Sequence, residues 1–133
     1  MKKKAIKFIL FIVSIVLLFY ISIFGYLIFS AKFKSYTNQV PFHSETWKSH
    51  LADKDTVKQQ MVKDLLSNYN LVGMSKTEIV SLLGLPPQTQ YFKDYHFVYW
   101  LGPEQSLISI DSEWLGIQFD SADQVVRLDL LKD

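Results

Sequence analysis

Apolar residues run unbroken by any charge from Phe8 to Ser30, and past that point the pattern falls into two different periods. The first run is 23 residues, mainly Ile, Leu, Phe and Val, relieved by Ser14, Ser22, Gly25, Tyr20 and Tyr26. At about 1.5 Å per helical residue it exceeds the roughly 30 Å hydrocarbon core of a bilayer. The pattern predicts a transmembrane helix over residues 8–30 behind a tail of residues 1–7, followed by a stalk over residues 31–43 in which no period is visible. Ser44 to Lys48 reads as one helical turn, with Trp47 packed into the domain that starts there and runs over residues 44–133. From about Asp55 to Tyr69, the residues Val57, Met61, Val62, Leu65, Leu66 and Tyr69 recur at spacings of three and four, which is an amphipathic helix with one buried stripe.

A second, shorter helix is specified from start to stop between Gly73 and Pro87. Ser75 followed by Glu78 is a capping box, in which hydroxyl and carboxylate reciprocally satisfy orphan backbone N–H groups. Gly84 offers a left-handed position after the last turn, Leu85 is expected to fold back on that turn, and Pro86 forbids continuation. Ile79, Val80, Leu82 and Leu83 supply its apolar face.

Beyond Pro87 the period becomes two. Tyr95, Phe97, Tyr99 and Leu101 alternate with His96, Val98 and Trp100 in a strand. Trp114 to Phe119 gives a second strand with Leu115, Ile117 and Phe119 on one face; a third has Val126, Leu128 and Leu130 facing the core, with Arg127 and Asp129 outward. Gln90-Tyr91-Phe92 is expected to add a short strand. The fold class is therefore α+β: an N-terminal transmembrane helix, then two helices packed on a three-stranded antiparallel sheet in the order ααβββ, a two-layer sandwich.

That order, with Leu71-Val72-Gly73-Met74-Ser75-Lys76-Thr77-Glu78-Ile79-Val80-Ser81-Leu82-Leu83-Gly84-Leu85-Pro86, Tyr99-Trp100-Leu101-Gly102 and Trp114-Leu115-Gly116-Ile117-Gln118-Phe119-Asp120, resembles the BamE-like (SmpA/OmlA) domain of bacterial envelope proteins. The resemblance covers about Met61 to Leu131, and is nearest to small membrane-anchored members without an assigned role. It implies a two-layer sandwich and a non-enzymatic part in envelope assembly or protein binding. The chain departs from the lipoprotein pattern in having no cysteine, and from a frequent turn glycine in having Asp123. A left-handed turn position accepts Asp more readily than most residues.

Charge sharpens the topology. The formal net charge of +1 averages two unlike parts, because Lys2, Lys3, Lys4 and Lys7 precede the apolar run. From Lys32 onward there are ten basic and thirteen acidic residues, a net of −3, with no Lys/Arg cluster. A mildly acidic domain argues against nucleic-acid binding. The lysine excess before the run places the N-terminus in the cytoplasm and the domain outside, with Lys32 and Lys34 at the lipid interface. The run is longer than a signal h-region and has Phe29 at the −3 position before Ala31, so it reads as an uncleaved single-pass anchor in the cell membrane. Without cysteine there is neither lipoprotein acylation nor a disulfide.

Candidate chemistry is sparse. His43 and His50 are seven residues apart, about 10 Å along a helix, too far to share a zinc ion bound at about 2.0–2.1 Å. The acidic residues Asp111 and Glu113 sit at one end of a strand and Asp120 and Asp123 at the other, about 20 Å away. There is no Gly-x-Ser-x-Gly elbow, phosphate loop or dinucleotide fingerprint. No catalytic residue, metal ligand or cofactor is assigned, and an unrecognised hydrolase is the least favoured reading. The outward positions of the sheet, Val98, Trp100, Trp114 and Gln118 with His96, form the candidate binding surface. Two occupants stand open, an envelope protein or a small ligand or envelope polymer. So does a third arrangement, in which the stalk around Phe42 and Trp47 folds back over this face.

Overall fold

A computed structural model describes residues 2–37, 39–52, 54–105 and 110–133, with the backbone alone given for residues 2, 3, 5 and 31–37. The side chains of Lys2, Lys3, Lys32 and Lys34, read above as flanking charges, lie outside the described residues. The chain forms two compact units, Met1–Thr37 and Asn38–Asp133.

The first unit is one α-helix, α1 (Lys2–Thr37), whose segment Ile6–Ser30 is long and apolar enough to span a membrane or serve as a signal anchor. From Ile6 to Phe29 its side chains are exposed. Helical backbone continues through Thr37, into the stretch expected to be a stalk.

The second unit orders three further helices, α2 (Ser44–Ser49), α3 (Val57–Asn68) and α4 (Lys76–Leu83), before β1 (Phe97–Pro103), β2 (Ser112–Phe119) and β3 (Val125–Lys132). The strands form an antiparallel meander in the order β1-β2-β3, so the fold is α+β as expected. The domain begins before Ser44: the Val40 N–H donates to the Gln60 carbonyl at 3.1 Å, and the Phe42 N–H donates to Asp64 Oδ2 at 2.8 Å. Phe42 is buried, edge-on to Trp47 at 5.8 Å. Residues 40–43 are thus attached to the domain, with Phe42 alone of the four buried in its core.

That core lies between the helices and one sheet face. Trp47, Leu65, Ile79 and Leu83 meet Phe97, Tyr99, Leu101, Leu115, Ile117 and Phe119 there, all buried. The Tyr99 hydroxyl donates to the Gly84 carbonyl at 2.7 Å, and burial pushes its pKa up. The capping box forms as the sequence predicts, with the Ser75 N–H donating to Glu78 Oε2 at 2.7 Å and the Glu78 N–H to Ser75 Oγ at 3.3 Å. The Ser75 N–H and the Ser75 hydroxyl, which donates to the same Oε2 at 2.8 Å, hold the Glu78 carboxyl below the ordinary carboxylate range. The same loop is stitched to the β2–β3 hairpin, since Gly73 N–H donates to the Val125 carbonyl and Val125 N–H to the Met74 carbonyl.

Four local expectations are corrected. Gly84 has φ +76 but ψ 169, outside the left-handed helical region, so the chain leaves α4 extended and Leu85 is exposed rather than folded back. A register shift opposite Gln118 and Phe119 inserts one residue into β3, so Val125 is buried in the core and Val126 exposed. Leu130, expected inside, is exposed although it pairs with buried Leu115, because it lies on the edge strand. Finally, Gln90 to Phe92 is not a strand; Phe92 adopts φ +51 in an irregular strap between α4 and β1.

Candidate functional site

The sheet face turned away from the helices is built by strand alternation. Antiparallel register sets Trp100 opposite Trp114 and Val98 opposite Gly116, while Tyr99 and Leu101 between them point into the core. Val98 and Trp114 are nearly fully buried and Trp100 partly so, which a bare outer face would not produce. The cover is the strap. Tyr91 lies over Trp114 with ring centroids 5.2 Å apart and planes tilted by 33°, and Phe92 meets the same indole edge-on at 6.1 Å.

Tyr95 also crosses to this side, against the strand phase assigned to it. A Cβ on Gly116 would lie 2.6 Å from Tyr95 Cδ1 and 2.7 Å from Leu131 Cδ1, so the absent side chain is what lets both pack there. The Tyr95 hydroxyl donates to Asp129 Oδ2 at 2.7 Å, and that bond first, then burial, raises its pKa. The stalk does not cover this face: Phe42 and Trp47 are both in the core on the helix side.

Between strap and sheet a groove of about 470 Å3 stays open, lined by Tyr91, Val98, Trp100 and Trp114, by Gln88 and Thr89 of the strap, and by Leu51, Ala52 and Lys54 at the exit of α2. Its rim reaches Ser112 and Asp133. Among the described residues, Lys54 and Asp133 bring opposite charges to its border. The Trp114 indole N–H is shielded from solvent and has no hydrogen-bond partner among the described residues.

Behind Trp100 the groove is braced by a polar cluster. Lys58, fully buried, donates to the His50 carbonyl and lies 5.9 Å from the Trp100 ring centroid. His50 Nδ1 is 2.7 Å from Asp55 Oδ2. Burial raises the Asp55 pKa, but the Val57 N–H, His50 and Lys58 outweigh it and hold the carboxyl below its ordinary value. His50 is thus tied to Asp55 and the domain framework, while His43 precedes α2 without making a side-chain cap.

Of the predicted surface residues, the fold gathers Val98, Trp100 and Trp114 and sends the other two elsewhere. His96 Nδ1 accepts the Phe119 N–H at 3.1 Å, and its ring meets Phe119 at 5.8 Å. It lies four residues from Trp100, about 13 Å along extended chain. Gln118 donates to the Asp94 carbonyl at 3.0 Å and so fastens the end of the strap. Tyr91 was missed as a site residue, although an aromatic pair beside Pro86-Pro87 and flanked by polar residues was the available signal. Among the described residues, no group of three or more His, Asp or Glu side chains is arranged to hold a metal ion.

No family model, curated protein or solved structure matches this chain.

Proposed function

We propose that the chain is a single-pass membrane protein with its N-terminus in the cytoplasm, whose domain outside is a non-enzymatic binding module for an envelope protein. The observation that carries the reading is the Tyr91/Val98/Trp100/Trp114 groove, an aromatic recess bordered by amide, hydroxyl and charged side chains. Trp and Tyr are the side chains that most often dominate binding energy when they sit in a sheltered recess. The apolar Ile6–Ser30 helix and the lysines before it support the anchor and its orientation. The resemblance of Leu71–Pro86 and the tryptophan strands to BamE-like domains supports an envelope role.

The test is proximity crosslinking in native membranes. A reproducible partner that is lost in Trp100→Ala, while the variant keeps its thermal unfolding transition, is the expected outcome. Recovery of that partner in undiminished yield from Trp100→Ala contradicts the reading. A second reading, a small ligand or envelope polymer in place of a protein, is favoured by one feature: about 470 Å3 falls in the range of roughly 300–1,000 Å3 typical of small-molecule sites. It predicts a saturable change in tryptophan fluorescence on titration that Trp100→Ala removes.

A further inference from the structure

We infer that β3 is a homotypic docking edge, pairing antiparallel with β3 of a second copy about a two-fold axis at Leu128. β1 and β3 are the two edges of the sheet. The β1 edge is blunted: it carries Gly102 and Pro103, and Gln59 of α3 donates to the Pro103 carbonyl at 2.9 Å. β3 has eight residues and neither glycine nor proline. Its beginning is closed by the Gly73–Met74 backbone bonded to Val125; from Val126 to Lys132 no backbone group bonds to a segment other than β2 among the described residues.

Backbone polarity along that edge follows from the partners already used. The Ile117 carbonyl accepts the His96 N–H at 3.0 Å, so Ile117 turns its polar groups toward β1. Leu128, directly opposite Ile117, is then one half of a non-hydrogen-bonded pair and turns its own N–H and C=O to the open edge. A second β3 laid antiparallel about Leu128 exchanges two backbone hydrogen bonds with it.

This register matches the charges on both sides of the axis. It sets Arg127 opposite Asp129 of the second copy and Asp129 opposite its Arg127. Within one chain these two are already joined, Arg127 Nε to Asp129 Oδ2 at 2.6 Å, and braced by Tyr95, whose ring lies 5.6 Å from the guanidinium. Pairing turns one ion pair into a four-charge checkerboard in which every neighbour is of opposite sign, the arrangement that stabilises cross-strand pairs. Val126, the residue that the register shift inserts, lies outside this regular stretch. A shift of the axis to Asp129 would oppose two carboxylates. The arrangement is isologous, closes on itself and leaves a continuous sheet of both copies. Three regularly paired residues are a small interface, so association relies on both copies being held in one bilayer by α1; that part rests on the anchor reading above.

The test uses the full chain in membranes, with membrane retention after alkaline extraction scored separately, so that failure of the anchor and failure of the pairing are told apart. The described residues include no cysteine and the sequence has none, so single cysteines report position cleanly. Leu128→Cys is self-opposed at about 5.5 Å between Cα atoms, inside disulfide reach. Val126→Cys and Leu130→Cys are each offset from their own copies by four residues, about 13 Å. Mild oxidation is expected to give several-fold more covalent dimer from Leu128→Cys than from either. Because Leu128 is partly buried, a second arm co-expresses differently tagged Arg127→Cys and Asp129→Cys chains, which should join each other in preference to themselves. Arg127→Asp in the Leu128→Cys background should lower dimer yield, and adding Asp129→Arg should restore it at an unchanged unfolding midpoint. Equal yields at 126, 128 and 130, no preference in the mixed pair, or capture of a different protein by Leu128→Cys in place of a second copy would overturn the proposal.

Discussion

The two faces of one small sheet meet very different fates. On the helix side, Tyr99, Leu101, Leu115 and Ile117 are at most 1% exposed and interlock with three helices. On the other side, a single irregular strap lays Tyr91, Phe92 and Tyr95 over Trp114 and Gly116 and leaves a groove beside them. The strands contribute alternate residues to each, so the difference comes from what is packed against them. Helices bring continuous apolar stripes that exclude water and space alike. A strap has no periodic face; it covers with isolated rings and leaves gaps between them. The teaching is that the helix side accounts for stability and the strap side has room for recognition.

The largest predicted effect tests the helix side. Ile117→Ala removes a fully buried side chain and should cost about 2–5 kcal/mol, read as a fall in the thermal or denaturant midpoint of the full chain in detergent. Gly116→Ala acts on the opposite face, where the added Cβ meets Tyr95 and Leu131 closer than 3 Å. Both neighbours are side chains that give way, so the expected cost is about 1–3 kcal/mol, with Tyr95 pushed off Asp129. Tyr91→Ala should cost less, about 0.5–1.5 kcal/mol for the lost ring pair, yet raise acrylamide quenching of tryptophan fluorescence by uncovering Trp114. A Tyr91→Ala loss as large as that of Ile117→Ala would erase the contrast between the faces. The smallest effect concerns pH. The Glu78 carboxyl is depressed in the folded state, so its contribution is complete above the ordinary carboxylate range and disappears as pH falls through the lowered folded value. Glu78→Gln should therefore flatten the acid limb of the stability profile while leaving the helix-side packing intact.

The helix side was the legible side. Ser75 and Glu78 announce α4, the three-and-four spacing from Val57 announces α3, and alternation places Tyr99, Leu115 and Ile117 inward; each is a local signal whose tertiary outcome agrees with it. The strap side was half legible. Period two put Val98, Trp100 and Trp114 on one face, but nothing periodic in Pro87 to Tyr95 foretold that the segment would lie across them. Alternation also assumes an unbroken register. It fails at the β3 bulge, where one extra residue exchanges Val126 for Val125, and at Tyr95 and His96, which precede the first residue of β1 and so escape its phase. The ends of α1 and of the domain core went astray because residues 31–43 carry no repeating pattern, and only tertiary bonds, such as Phe42 to Asp64, reveal where packing starts.

The contrast between the faces is most directly tested by placing a photocrosslinking residue at Thr89 on the rim of the groove and, separately, at Glu45 on the exposed side of α2, in native membranes. The account predicts a reproducible adduct from Thr89, abolished by Trp100→Ala in a chain that still unfolds cooperatively, and none of that adduct from Glu45. Equal capture of the same partner from both positions, or capture at Thr89 unaffected by Trp100→Ala, would contradict it.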